Sequence, residues 1–357
     1  MSKILTILTL FLMLGVAMPA MAGVVYTETN NVADNKIVVF ERSADGSLSN
    51  SGSFSTGGLG TGIGLGDQGA VALTEDGEIL LAVNAGSNEI SVFKTTSEGL
   101  KLTDKVNSGG IKPISIAVKD NLVYVLNACG PNCSSKGNIV GYHLSKDGKL
   151  SMIEKSTKPL SGIFVDPAGI SFNPDGNVLV VTEKMTNKID TYTVDKNGIA
   201  NGPIVQDSNG ATPFGFAFDN KGHLIVSEAP GSALSSYSVS EDGGLKLISG
   251  SIPDFHAAAC WVVITNNGKI AYANNAHDGT ISSYTIDNKG QLTLLEKTAG
   301  IPGNGNIDLA LSKGSKFLYS LNSADNTIAG FSVNHDGSIT LIGKMVVPVG
   351  ADGLAII

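Results

Sequence analysis

Glu183 and Glu228 each close an apolar run, and His256 and His277 lie in polar loops. Carboxylates and imidazoles are the groups that move protons in acid–base catalysis, so these four are the catalytic candidates. Glu183 would be the base and Glu228 its partner, with His256 or His277 as acid or donor. Trp261, the only tryptophan, offers an apolar face with one N–H donor, suited to a sugar or lactone ring. Asp308, Asn275 and Asn322 add ligand-binding acceptors and amide donors. The spacing requires no cofactor. A metal held by Glu183, Glu228 and Asp308 would be Ca²⁺, which carboxylate oxygens suit.

Other chemistries are excluded. His143, His223 and His335 fall on outer strands or opposite turns, so no three-histidine zinc site forms. The stretch Gly57–Gly69 is rich in glycine, but no Lys-Ser/Thr pair or helix follows it, so it does not cradle a phosphate. It reads as a flexible connection. No G-x-S-x-G elbow is present. Net charge is −8, and Arg42 is the only arginine among 24 basic residues. Nucleic-acid binding needs a cationic surface and is not expected.

Residues 1–22 read as a signal peptide: Lys3, an apolar run from Ile4 to Met18, then Ala20-Met21-Ala22 before Gly23. The run is short for a membrane span of about 20 residues. A periplasmic or secreted protein without membrane insertion is expected, in one domain over 23–357. Cys129 and Cys133 bracket Gly-Pro-Asn, and export favours a local disulfide between them, leaving Cys260 free.

Internal repeats place the candidates. Seven segments share an apolar strand, a polar loop, Ile or Leu, an aromatic and a Gly turn, with turn glycines at 46, 99, 148, 198, 243, 290 and 337. A period near 50 with strand-like alternation is the signature of propeller blades. A fourth strand precedes every repeat except the first, and Gly353–Ile357 carries its pattern. The expected fold is therefore all-β: a seven-bladed β-propeller of four-stranded blades, its ring closed by the C-terminal strand.

Within each inner strand, bulky residues alternate with small ones, and the small set faces the channel. Trp261 and Asp308 break that set. Trp261 is either a plug or a ligand platform. Asp308 is either a solvated carboxylate or part of a site at the channel mouth. Asn31, Asn84, Asn127, Glu183, Glu228, Asn275 and Asn322 form a second ring at the strand ends, where asparagine also caps turns.

Phrases such as SFNPDG at Ser171–Gly176 and YSLNS at Tyr319–Ser323 resemble the seven-bladed propeller lactonase family. That family includes propeller-type 6-phosphogluconolactonases and carboxymuconate lactonizing enzymes. The resemblance spans the mature chain and implies action on, or binding of, a small lactone or sugar-derived ligand. The family places Arg-His at the head of an inner strand and Asn-Glu after the next. Glu183 matches that glutamate, but Ala168 and Gly169 stand where Arg and His would be. Without that pair, the alternative is a non-catalytic propeller binding a ligand or protein partner on an acidic top face. Exported context and the missing arginine point away from phosphorylated substrates.

Overall fold

The computed structural model describes residues 21–130 and 133–357. The expected leader falls almost wholly outside them. The described strands form seven antiparallel sheets arranged as a ring. Each sheet is a four-stranded meander, and the third blade adds the short Lys158–Pro159 strand. The C-terminal strand Asp352–Ile356 pairs with Met21–Glu28, Val25 opposite Ile356 and Tyr26 opposite Ala355. The first blade is thus built from both ends of the chain, and no open sheet edge is left at the seam.

The turn glycines have a common physical reason. Gly46, Gly148 and Gly337 have φ of +90°, +71° and +86°, a region that β-carbon sterics deny most residues. Their carbonyls also bind the neighbouring blade. Tyr124 donates to Gly198, Tyr272 to Gly337 and Tyr319 to Gly46, at 2.7–2.8 Å. These tyrosines are fully buried, so each hydroxyl needs its acceptor. The apolar second and third strands of each blade pack into the gaps between blades.

The inner strands run from the top face to the bottom of the channel. Six of them have a bulge near their start, including those at Pro113/Ser115, Pro167/Gly169 and Asn306/Asp308. A bulge re-aims side chains at the rim. Before it, Lys112, Asp166, Thr212 and Ala258 occupy equivalent positions with φ between +47° and +65°.

The Gly57–Gly69 stretch differs from the expected flexible connection. It is a packed strap across the channel mouth. Asn30 Nδ2 donates to Ile63 O, Leu65 N to Asp352 Oδ2 and Lys184 Nζ to Gly66 O. Gln68 then enters the channel. Its N–H donates to Ala168 O at 2.7 Å, and its amide nitrogen donates to Phe216 O and Val262 O at 3.1 and 3.2 Å. Gly169 and Gly215 of the small inner set lie against this residue. A β-carbon on Gly215 would lie 2.1 Å from Gln68 Oε1.

Candidate functional site

The ring at the second-strand ends is present with one change. Its first member is Glu28, which closes strand Met21–Glu28, whereas Asn31 lies in the exposed loop beyond and accepts from Ala33 N. Glu28, Asn84, Asn127, Glu183, Glu228, Asn275 and Asn322 are all buried. Each sits where a lead-in loop meets the sheet and binds that loop or the adjoining strand.

Glu183 accepts from Ser161 N at 3.0 Å, Ser161 Oγ and Thr186 Oγ1. Burial, then the charge of Glu183, pushes the neighbouring Asp190 carboxyl well up. Glu228 accepts from Gly210 N at 2.8 Å, Ser235 Oγ and Ser251 Oγ. Asn275 binds Thr280 and Ser282, and Asn322 binds Pro302 O and Thr327. The structure therefore gives the two glutamates separate hydrogen-bond networks.

The histidines lie elsewhere, on the rim of blade six. His256 meets Asp278 through Nδ1 at 3.1 Å and Thr298 through Nε2 at 2.8 Å. His277 meets the other oxygen of Asp278 at 3.2 Å and is largely exposed. These hydrogen bonds, His277's first, hold Asp278 below the usual carboxylate range. Neither histidine bonds to Glu183 or Glu228. Among the described residues no three His, Cys, Asp or Glu side chains converge as a metal's ligands, so Glu183, Glu228 and Asp308 do not form the expected Ca²⁺ seat.

Trp261 is 4% exposed and donates its indole N–H to Asp67 O at 2.6 Å, with the Phe214 ring tilted at 54° and its centroid 4.8 Å away. Its one donor is therefore occupied. Asp308 is also buried, with Oδ1 accepting from Leu309 N, and burial raises its carboxyl far above the normal range. Cys129 and Cys133 are paired, with Cα atoms 5.4 Å apart. Cys260 is free, and burial pushes its thiol up to about 12. Arg42 donates to Ala22 O and covers the Phe317 ring, away from the top face.

One top-face cavity combines polar and apolar groups. It holds about 320 Å³ between blades three and four, lined by Lys112, Ala128, Gly130, Phe164, Asp166 and Met185. That volume is at the lower end of small-molecule pockets. Lys112 and Asp166 are the equivalent left-handed residues that head adjacent inner strands. Such backbone strain clusters where side chains must be aimed. Lys184, 9% exposed, reaches Asp166 at 3.3 Å and lies 4.7 Å over the Phe214 ring. The exposed surface here carries Phe164, Met185, Ile111 and Ile163 beside the exposed Asp166, while Glu28, Asp67 and Asp308 are buried.

A family model described as "Lactonase, 7-bladed beta-propeller" matches residues 26–165, 137–258 and 228–353. The chain belongs to the seven-bladed β-propeller lactonase family. No curated protein matches it. Among solved structures, it is similar to a protein of Lactobacillus plantarum: 18% identity, TM-score 0.78, covering 95% of this chain and 100% of that one. A candidate 6-phosphogluconolactonase of Bacteroides fragilis is 17% identical, with TM-score 0.74 and coverages of 94% and 98%. The periplasmic gluconolactonase of Pseudomonas aeruginosa is 15% identical, with TM-score 0.76 and coverages of 94% and 99%. These likenesses concern the fold.

In this member of the family, Lys112, Lys184 and Glu28 are site residues not singled out from the sequence. A signal was available for the first. Lys112-Pro113, Asp166-Pro167 and Thr212-Pro213 repeat at the heads of three successive inner strands. A residue before proline is driven out of the right-handed helical region, which marks these positions as special.

Proposed function

We propose that this chain is an exported lactonase that opens a small, unphosphorylated lactone of a sugar acid. The ligand sits in the top-face cavity at the rim of the channel, between blades three and four. The observation that carries this reading is the presence of Lys112 and Asp166 together in the lining of one small pocket with apolar walls.

Lactone hydrolysis needs a base for water and positive charge for the developing oxyanion. Asp166 takes a proton from water as the water oxygen attacks the acyl carbon. The Lys112 ammonium faces the carbonyl oxygen as charge builds there. The acyl–oxygen bond of the ring then breaks, and Asp166 returns the proton to the ring oxygen, giving the hydroxy acid. Lys184 positions Asp166 through a contact of 3.3 Å. Phe164 and Met185 exclude water from the ligand's apolar side. The sole arginine lies away from this face, which disfavours phosphorylated substrates.

Calorimetric titration with glucono-δ-lactone and related aldonolactones tests the site. Lys112→Met should weaken binding at least about tenfold, the scale of one charge-assisted contact. Unchanged affinity would place the ligand elsewhere.

A second reading is a non-catalytic propeller that docks a protein on the same face. The exposed side chains of Phe164, Met185, Ile111 and Ile163 favour it. No lactone turnover by the wild type, with retained folding, would select this reading.

A further inference from the structure

Beneath the strap lies a group of carboxylates that the proposed reaction does not use. Asp67 is 2% exposed, and both its carboxylate oxygens are buried without a hydrogen-bond partner. Glu28 Oε1 is likewise buried and unpartnered, although its Oε2 accepts from Asn35 Nδ2. Asp308 and Asp352 complete the group, and the charges of Asp352, Asp308 and Glu28 all act on Asp67. The cation opposing Asp67 is Lys184, which is already engaged by Asp166 and Gly66 O. Lys112 acts on Asp352, so the four buried acids face two ammonium groups, of which Lys184 is already engaged.

Orphaned buried carboxylate oxygens require a partner, because the cost of burying a charge unpaired is large. We propose that the channel mouth of this chain binds a hard divalent cation of the Ca²⁺ class, seated on the two free oxygens of Asp67. No three of these acids converge as a ligand cage among the described residues. The ion is therefore held by Asp67, with backbone carbonyls and water completing the shell, as Ca²⁺ accepts. Asp308, Asp352 and Glu28 supply surrounding negative charge. The site differs from the one expected on Glu183, Glu228 and Asp308, of which only Asp308 lies nearby, and it does not depend on lactone binding.

The experiment exploits Trp261, whose indole N–H is bonded to Asp67 O. As the only tryptophan, it is the sole indole donor for a lanthanide at this place. Full-length protein is stripped with a chelator and titrated with Tb³⁺ under tryptophan excitation. Sensitised emission should appear, and Ca²⁺ should compete it away. Asp67→Asn should abolish it, and Asp308→Asn should weaken binding at least about tenfold. Ca²⁺ should raise the wild-type melting temperature by at least about 2 °C, since it binds only the folded state. In Trp261→Phe the emission should vanish while the Ca²⁺ shift persists. No emission from the wild type, or emission and a Ca²⁺ shift that survive Asp67→Asn, would overturn the proposal. Should Asp67→Asn not fold, retention of wild-type Tb³⁺ affinity by Asp308→Asn would also overturn it.

Discussion

The indole N–H of Trp261 donates to the backbone carbonyl of Asp67 at 2.6 Å. This bond ties blade six to the strap that leads into blade two. The lone tryptophan therefore reads the state of the strap. Gln68→Ala removes the side-chain amide that donates to Phe216 O and Val262 O, freeing the strap from the channel wall. Trp261 emission should shift to longer wavelength as water reaches the indole. Emission identical to wild type would mean that the strap is not held by Gln68.

Glu183→Gln separates structural from catalytic use of this residue. The carboxylate accepts from one N–H and two hydroxyls between blades. Glutamine replaces one acceptor oxygen by a donor, at a cost of about 1–3 kcal/mol for the groups left unpaired. Thermal unfolding should occur several degrees lower, while kcat on the lactone stays within about threefold. A large loss of kcat at unchanged melting temperature would return Glu183 to the catalytic set.

The pH dependence of stability follows from the buried acids. Burial raises Asp352 to about 6, and burial drives Asp67, Asp308 and Glu28 well above their ordinary values. An acid whose pKa is higher in the folded state binds protons more tightly there. Its contribution is full below the unfolded pKa of about 4, and is lost as pH rises through the folded value. In chelator, melting temperature should fall between pH 5 and 8, and Ca²⁺ should reduce that fall. A melting temperature that climbs over this range without metal would contradict the assignment.

Ring closure predicts a seam effect. Tyr319 of blade seven donates to Gly46 O of blade one at 2.7 Å, and Asp352–Ile356 completes blade one. Tyr319→Phe should cost about 1 kcal/mol, read by denaturant unfolding. Removing residues 352–357 exposes a strand edge and should cause aggregation or loss of cooperative melting. Cooperative unfolding of the truncated chain at the wild-type midpoint would count against the seam.

The repeat architecture was legible because it rests on local signals. Gly46 and its six counterparts need left-handed backbone, and the apolar runs show the period directly. The C-terminal strand was legible because one repeat lacked its inner strand. The site was less legible because it depends on what crosses between blades. Glycine richness in 57–69 signals conformational freedom in the chain, yet Leu65 and Gln68 pin the strap through contacts with Asp352, Phe216 and Val262. Glu183 and Glu228 stand out by type, but their networks involve Ser161 and Gly210, from loops that the alternation does not place. That Lys112 and Asp166 line one pocket is a relation between neighbouring blades at matching backbone positions.

The central claim is that Asp166 and Lys112 open a lactone in the cavity between blades three and four. The direct measurement is kcat/KM for glucono-δ-lactone hydrolysis, corrected for spontaneous opening, in wild type, Asp166→Asn and Lys112→Met. Loss of the base should lower the value by about 10²–10⁴-fold, and loss of the ammonium by at least about tenfold, at unchanged melting temperatures. Wild-type turnover that persists in both variants would contradict it.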